Sequence, residues 1–199
     1  MKIVFATGNA GKLREASEIL GPGYELTTPA ALGITEDIPE TGNTLKENSI
    51  QKAEYLHDRC GLNCFADDTG LEVDALGGAP GVHSARYATD GHDFNANIDK
   101  LLRELEGIPF EKRTARFRNV VTLIIDGEKH FFEGRVEGHI ASERAGVAGF
   151  GYDPIFIPDG FDGRTMAELG EDIKNRISHR GQSLRAMAAW METNSTKGK

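Results

Sequence analysis

The chain has 199 residues, of which 39% are hydrophobic and 27% are charged. This length predicts one domain over residues 1–199, with two lobes at most. Asp and Glu number 31 against 23 Lys and Arg, so the net charge is -8. Proteins that bind nucleic acid or membrane surfaces carry excess positive charge, and the composition argues against both partners. A small anionic substrate is still compatible, because one local site can be positive on an acidic protein.

The two cysteines, Cys60 and Cys64, are too few for a disulfide framework in a chain of this size. Their C-x3-C spacing matches neither a redox pair nor half of a zinc site. We therefore expect reduced, structural thiols, which are typical of cytoplasmic proteins. No apolar stretch approaches the roughly 18 residues of a membrane span. We therefore expect a cytoplasmic protein without a membrane partner.

The first half of the sequence alternates between strand and helix patterns. An apolar β-branched run and a later apolar segment predict buried strands, and apolar spacings of three and four predict helices. The predicted strands are 3–6 and 63–66, and the predicted helices are 13–20 and 45–59. This order is typical of an α/β fold with parallel strands.

The second half has the signals of antiparallel pairing. Asp126-Gly127 is a strong hairpin signal between two long strand patterns. The predicted elements are a helix at 94–105, strands at 115–125, 129–140 and 155–157, a last helix at 178–192 and a flexible polar tail at 193–199. Together the two halves predict a single α/β domain with a mixed sheet.

The loop between the first strand and the first helix is a candidate phosphate site. Its residues are Thr7, Gly8, Asn9, Ala10, Gly11 and Lys12. Glycines allow backbone N–H groups to approach a phosphate, and the helix N-terminus and Lys12 add positive charge. The loop lacks the length of a P-loop and the Ser/Thr that follows its lysine. Taken alone the loop is a weak signal, and an ordinary strand-to-helix turn is the slightly favoured interpretation.

The acidic pair Asp67-Asp68 follows the apolar strand at 63–66. Open α/β sheets bind ligands at the carboxyl ends of their strands, so one carboxylate can serve as a magnesium ligand or a base. Adjacent strand residues point to opposite faces, and the other carboxylate is then structural. A plain turn before Gly70 explains the pair equally well.

Asn48 and Lys52 are four residues apart, so they share one face of the predicted helix at 45–59. Glu40, just upstream, could face Asp68 across a magnesium ion. From the spacing alone, a solvated helix face is the favoured interpretation of Asn48 and Lys52.

Two segments near the C-terminus carry aromatic and basic residues next to glycines. They are Phe150-Gly151-Tyr152-Asp153-Pro154 and Ser178-His179-Arg180. An aromatic ring in a glycine loop can stack on a nucleobase, and arginine can bind phosphate or a base oxygen. Ser178 also fits an N-cap of the last helix.

In combination these segments resemble the inosine triphosphate pyrophosphatase family, whose members act on non-standard purine nucleotides. The resemblance rests on motifs in family order along nearly the whole chain. They are TGNAGK at 7–12, ETGNT at 40–44, ENSIQKA at 47–53, ADDTGL at 66–71, GGAPGVHSARY at 77–87, GFGYDPIF at 149–156 and ISHRGQ at 177–182. The segment between Glu128 and Gly149 follows no motif of the family.

The resemblance implies an elongated α/β fold with a central mixed sheet, two lobes, an active-site cleft between them, and a homodimer. It also implies Mg²⁺-dependent hydrolysis of ITP, dITP or XTP to the monophosphate and pyrophosphate. Asp68 matches the catalytic proton acceptor and metal ligand, and Glu40 matches a metal ligand. The matched substrate contacts are Thr7, Gly8, Asn9, Ala10, Gly11, Lys12, Lys52, Thr69, Phe150, Gly151, Tyr152, Asp153, Lys174, His179 and Arg180.

Two positions differ from common family residues. Thr69 stands where many bacterial members have Ser, and Tyr152 stands where many eukaryotic members have Trp. Two alternatives also stay open: a pyrophosphatase for another modified nucleotide, and a nucleotide-binding module without turnover. The acidic composition and the presence of Asp68 count against the second.

Overall fold

The structure is a computed structural model that describes residues 1–195, with side chains through Asn194. Its strands are β1 (Lys2–Phe5), β2 (Glu25–Thr27), β3 (Cys64–Val73), β4 (Pro80–Gly81), β5 (Thr114–Ile125), β6 (Glu128–Ile140) and β7 (Phe156–Pro158). Its α-helices are α1 (Ala10–Leu20), α2 (Leu45–Cys60), α3 (Phe94–Glu104), α4 (Met166–Leu169), α5 (Glu171–Ile177) and α6 (His179–Ser195).

The strands found in residues 1–195 form one seven-stranded sheet in the order β2-β1-β3-β5-β6-β7, with β4 paired to β3. Strand β1 is parallel to both β2 and β3, whereas β4 and β7 pair antiparallel with β3 and β6. The sheet is therefore mixed, and the predicted α/β class with a central mixed sheet is confirmed.

The described chain divides into two compact units. The first contains residues 1–68, 119–134 and the described residues from 180 onward, and the second contains 69–118 and 135–179. Strands β3, β5 and β6 contribute residues to both units.

Side-chain alternation along the strands organises the core of the first unit. In β3, Phe65 packs in a cluster that contains Ala16 of α1 and Leu184 of α6. The next residue, Ala66, packs instead in a cluster that contains Leu56 of α2. Because successive strand side chains point to opposite faces, α1 and α6 cover one face of this part of the sheet and α2 covers the other. Thus Asp67 points toward α1 and α6, and Asp68 toward α2.

The second unit has its own hydrophobic core. Leu71 and Val73 of β3 pack there with Phe117 of β5, Leu101 of α3 and Leu169 of α4. Burial of apolar surface at about 25 cal/mol per Å² is the main stabilising contribution to both cores.

The predicted hairpin is confirmed. Strands β5 and β6 are joined by Asp126 and Gly127, whose φ angles are +52° and +81°. Two consecutive positive φ values are those of a type I′ turn, which matches the twist of the flanking strands.

Element boundaries differ from prediction by more than one residue at three places. Strand β3 continues through the acidic pair to Val73 instead of ending at Ala66. Helix α1 begins at Ala10, three residues before the predicted start. Helix α6 extends to Ser195, so residues 193–195 of the predicted tail are helical, while 196–199 lie outside the described residues.

Within residues 1–195 we find no helix with the length and apolar character needed to cross a bilayer.

Candidate active site

The two neighbouring acids of β3 bind different sets of basic residues in the first unit. Asp68 contacts Lys52 of α2, whereas Asp67 contacts Lys12 of α1 and Arg180 of α6. The acidic pair thus lies inside the strand and not in a turn, and the prediction of opposite orientations is confirmed.

Each carboxylate oxygen of Asp68 accepts a hydrogen bond from α2. Lys52 Nζ donates to Oδ1 at 3.0 Å, and Asn48 Nδ2 donates to Oδ2 at 3.2 Å. The side chain is buried, with 8% of the residue exposed. Burial raises the pKa of Asp68, and the nearby cations of Lys52 and Lys12 offset only part of that rise. A carboxylate with a raised pKa is a better proton acceptor than an exposed one.

Asp67 is the centre of a buried charge network. Its Oδ1 lies 2.9 Å from Lys12 Nζ and its Oδ2 lies 2.9 Å from Arg180 Nε. Arg180 is only 2% exposed and also donates to Glu15 of α1. Burial would raise the pKa of Asp67, but Lys12 and Arg180 outweigh it and hold that pKa well below its usual range. Asp67 is therefore held as a carboxylate.

Lys52 bridges the two acids proposed for the metal site. Its Nζ lies 2.6 Å from Glu40 Oε1 as well as 3.0 Å from Asp68 Oδ1. Although burial acts in the opposite direction, Asp68 and Glu40 raise the pKa of Lys52. The prediction of a solvated face is wrong for both members of the pair, since Asn48 is 4% and Lys52 is 5% exposed.

Asp68 and Glu40 are chemically suited to a divalent cation. Lys52 already places one positive charge between these carboxylates, and Mg²⁺ prefers carboxylate oxygens as protein ligands. In the described part of the chain, no group of three or more His, Cys, Asp and Glu side chains could hold a metal. Proteins usually bind Mg²⁺ through one or two carboxylates together with substrate phosphates, so the two acids fit that mode.

The 7–12 loop lies at the N-terminus of α1, as predicted. Asn9 is the N-cap, and its Oδ1 accepts from the backbone N–H groups of Gly11 at 2.8 Å and Lys12 at 3.1 Å. Asn9 N–H in turn donates to Thr7 Oγ1 at 3.1 Å. Gly8 and Ala10 are exposed at the surface of this loop. The cap explains the helix start, and phosphate binding by the loop stays a prediction.

A second group of predicted residues lies in the second unit. Asp153 Oδ2 accepts from the backbone N–H of Phe150 and from Lys174 Nζ, both at 2.8 Å. Lys174 Nζ also lies 4.5 Å from the centre of the Phe150 ring. The half-buried Phe150 ring and a buried ammonium group are thus held beside each other by one carboxylate.

The other predicted residues of the second unit are a buried tyrosine, a stacked histidine, a half-buried threonine and a glycine in a loop. Tyr152 is 4% exposed and its hydroxyl donates to Ser84 O at 2.8 Å, so its ring is part of the core. His179 stacks on Phe117 with ring centres 4.8 Å apart. Thr69 is half-buried in β3, and Gly151 has a φ of +62° in the 150–153 loop.

The structure thus brings the predicted residues together in two groups, one in each unit. Three further residues support the first group. Glu15 binds Arg180, Asn48 binds Asp68, and Gly42 donates its backbone N–H to Asn48. The i,i+4 spacing pointed to Asn48, whereas no local signal marks Glu15, which is 165 residues from its partner.

Comparisons with known proteins place this arrangement in a family. The model of the Ham1 family matches residues 3–190. The chain therefore belongs to the Ham1 family, and the predicted resemblance is confirmed.

Relatives with assigned activities are similar over nearly their whole length. The chain is 55% identical to a dITP/XTP pyrophosphatase of Porphyromonas gingivalis, over 90% of this chain and 91% of that protein. It is 51% identical to a dITP/XTP pyrophosphatase of Bacillus subtilis, over 95% and 96% of the two chains. Among solved structures, the Ham1 protein of Staphylococcus aureus superimposes with a TM-score of 0.87 at 39% identity, covering 98% of this chain and 100% of that one.

Proposed function

We propose that this protein hydrolyses non-standard purine nucleoside triphosphates, namely dITP, XTP and ITP, to the monophosphate and pyrophosphate. The observation that carries the proposal is the contact of Asp68 with Lys52, which in turn contacts Glu40. A buried proton acceptor, a second acid and a cation are the groups that hydrolysis of a phosphoanhydride needs. The names of the relatives, dITP/XTP pyrophosphatase, support the same reaction.

Asp68 is proposed to accept the proton of the attacking water. Its burial supports this role because burial raises the pKa of the carboxylate toward neutrality. Lys12 and Lys52 are proposed to bind the phosphates, where their charges offset those of the substrate. The monophosphate and pyrophosphate form when water cleaves the phosphoanhydride linkage between the α- and β-phosphates.

Mg²⁺ is the proposed cofactor, held by Glu40 and Asp68 together with the phosphates. When bound, the ion supplies positive charge that polarises the phosphoryl oxygens and lowers the pKa of coordinated water. The paired carboxylates around Lys52 support this assignment, since they already accommodate a cation.

The Phe150–Lys174 pair is proposed to contact the purine base. Phe150 offers a ring face for stacking, and Lys174 offers N–H donors that suit a 6-oxo group. Adenine carries a 6-amino donor at this position, which leaves such a protein donor unpaired. A mismatch of that kind can discriminate by several orders of magnitude.

We also propose a cytoplasmic homodimer. The free thiols of Cys60 and Cys64 fit a reducing compartment, which is also where the nucleotide pool is used. Light scattering of the purified protein at several concentrations tests the dimer, and a mass of one chain, 21.7 kDa, would contradict it.

A substrate panel tests the activity directly. Purified protein is incubated with MgCl₂ and with dITP, ITP, XTP, dATP, ATP, GTP and modified pyrimidine triphosphates, and pyrophosphate and orthophosphate are measured separately. We expect pyrophosphate from the first three, and no turnover after EDTA. Orthophosphate as the direct product, or a preference for ATP over ITP, contradicts the proposal. Preference for a modified pyrimidine triphosphate indicates the related pyrophosphatase, and absence of turnover indicates a binding module.

A further inference from the structure

Asn48 joins the loop that follows Glu40 to the proposed catalytic carboxylate. It lies in α2 and is 4% exposed. Its Oδ1 accepts from Gly42 N–H at 2.7 Å, and its Nδ2 donates to Asp68 Oδ2 at 3.2 Å. The uncharged Asn48 side chain therefore contacts both the Gly42 turn, which follows Glu40, and the carboxylate of Asp68.

The chemistry of the two partners fixes the orientation of the Asn48 amide. A backbone N–H is only a donor, so the amide oxygen must face Gly42. The amide nitrogen must then face Asp68, whose carboxylate accepts a hydrogen bond from it. The rotated amide would place a donor against the Gly42 N–H and an oxygen against Asp68 Oδ2, so only one orientation satisfies both contacts.

The approach of Gly42 to Asn48 depends on the absence of a side chain. A Cβ at position 42 would lie 2.8 Å from Asn48 Oδ1, 2.9 Å from Asn48 N and 2.6 Å from the Cβ of Glu47. Glu47 Cβ and Asn48 N are fixed to the backbone of α2 and cannot move away, so the turn requires glycine to reach the amide oxygen.

Asn48 and Lys52 together hold the plane of the Asp68 carboxylate. They lie one helical turn apart in α2 and donate to Oδ2 and Oδ1, respectively. Lys52 also contacts Glu40, but Asn48 carries no charge that a phosphate or a metal ion would attract. Its amide forms the two hydrogen bonds that orient the Asp68 carboxylate relative to the Gly42 turn.

We propose that Asn48 is a positioning residue, through which the Gly42 turn sets the orientation of the Asp68 carboxylate for catalysis. This inference rests on the proposed function. Because misplacement of a reacting group by about 1 Å can lower the rate about 100-fold, loss of the link is expected to act on kcat more than on KM.

The test replaces the amide in two ways. Asn48→Asp keeps an oxygen for Gly42 N–H but places an acceptor against Asp68 Oδ2, and Asn48→Ala removes both contacts. With dITP and MgCl₂, we expect both variants to lose about 10- to 100-fold in kcat, with KM changed less than about threefold. Thermal unfolding is followed on the same samples.

Two controls separate positioning from general structure. Gln51, in the same helix, accepts from Thr41 N–H at 2.9 Å, and among its hydrogen bonds within residues 1–195 there is none to Asp68. Gln51→Glu therefore repeats the change from amide to acid, and kcat should stay within about twofold of wild type. Leu56→Ala removes a fully buried side chain of α2, so it should lower the melting temperature with little change in kcat.

The outcomes distinguish the inference from the function on which it rests. Wild-type kcat in Asn48→Asp, with an active wild-type protein, overturns the inference alone. A fall in kcat that simply follows the loss of melting temperature, as judged against Leu56→Ala, also overturns it. An inactive wild-type protein overturns both.

Discussion

Lys52 Nζ of helix α2 donates to Asp68 Oδ1 of the central strand β3 at 3.0 Å. The Lys52 cation favours the charged form of Asp68, the proposed catalytic base. Without the ammonium group, the largest offset to the burial of Asp68 would be lost, and burial favours the protonated form of a carboxyl group.

Asp68→Asn is expected to abolish turnover while preserving nucleotide binding. The amide is nearly the same size but cannot accept a proton, and general-base catalysis contributes about 10²- to 10⁴-fold. Steady-state kinetics give kcat, and equilibrium titration with a non-hydrolysable nucleotide gives the dissociation constant. Retained turnover in this variant refutes the role of Asp68 as the base.

Lys52→Met is expected to shift the acidic limb of the kcat/KM profile to higher pH. Burial raises the pKa of Asp68, and the Lys52 cation partly offsets that rise. Removal of the cation therefore raises the pKa further, so Asp68 becomes an active carboxylate only at higher pH. The profile is measured with dITP from pH 4.5 to 9, and a limb that stays in place or moves to lower pH contradicts the assignment.

Gly8→Ala is expected to raise KM without loss of stability. A Cβ at Gly8 meets no heavy atom within 4 Å and the residue has no positive φ, so the fold accommodates it. The free energy of unfolding should change by less than about 0.5 kcal/mol. A methyl group would nevertheless obstruct a phosphate that approaches the backbone.

Gly23→Ala is the matched control for Gly8→Ala. Gly23 also has open space around its Cα and lies in the turn after α1. Its substitution should leave both unfolding and kcat/KM unchanged. If Gly8→Ala has the kinetics of Gly23→Ala, the 7–12 loop is an ordinary helix-capping turn.

Arg180→Met is expected to destabilise the protein by about 3–5 kcal/mol, because removal of one partner leaves buried carboxylates without its charge. Arg180 is 2% exposed and contacts both Asp67 and Glu15. The double variant Arg180→Met, Glu15→Gln should recover part of the loss. Urea unfolding at pH 7.5 gives the comparison, and a loss below about 1 kcal/mol would contradict the structural importance of this network.

Local signals in the sequence predicted much of the fold. The Asp126-Gly127 turn was predictable because both positions favour positive φ, which the structure has. Strand β3 was predicted too short because Asp67-Asp68 and Gly70 together have the composition of a turn. What keeps these acids in the strand is long-range pairing: Lys12 is 55 residues from Asp67, and Arg180 is 113 residues away.

The sequence pointed to the residues of the candidate site but not to their surroundings in the fold. The spacing of Asn48 and Lys52 correctly placed them on one helix face, but spacing cannot show what that face contacts. The face is buried against Asp68 and not solvated. Glu15 and Gly42 act through contacts that form only in three dimensions, so motif reasoning did not assign them a role.

The register of strand β3 decides which of its two acids faces which helices, so the proposed roles of Asp67 and Asp68 depend on the number of residues before them. Its even-numbered residues from Cys64 to Asp68 face α2, and its odd-numbered residues Phe65 and Asp67 face α1 and α6. Insertion or deletion of a single residue before Asp67 would reverse this assignment while preserving every charge. The acid held as a carboxylate by Arg180 and the acid proposed as the base would then exchange partners. Natural length variants of this protein should therefore place their insertions in the loops and not in this strand.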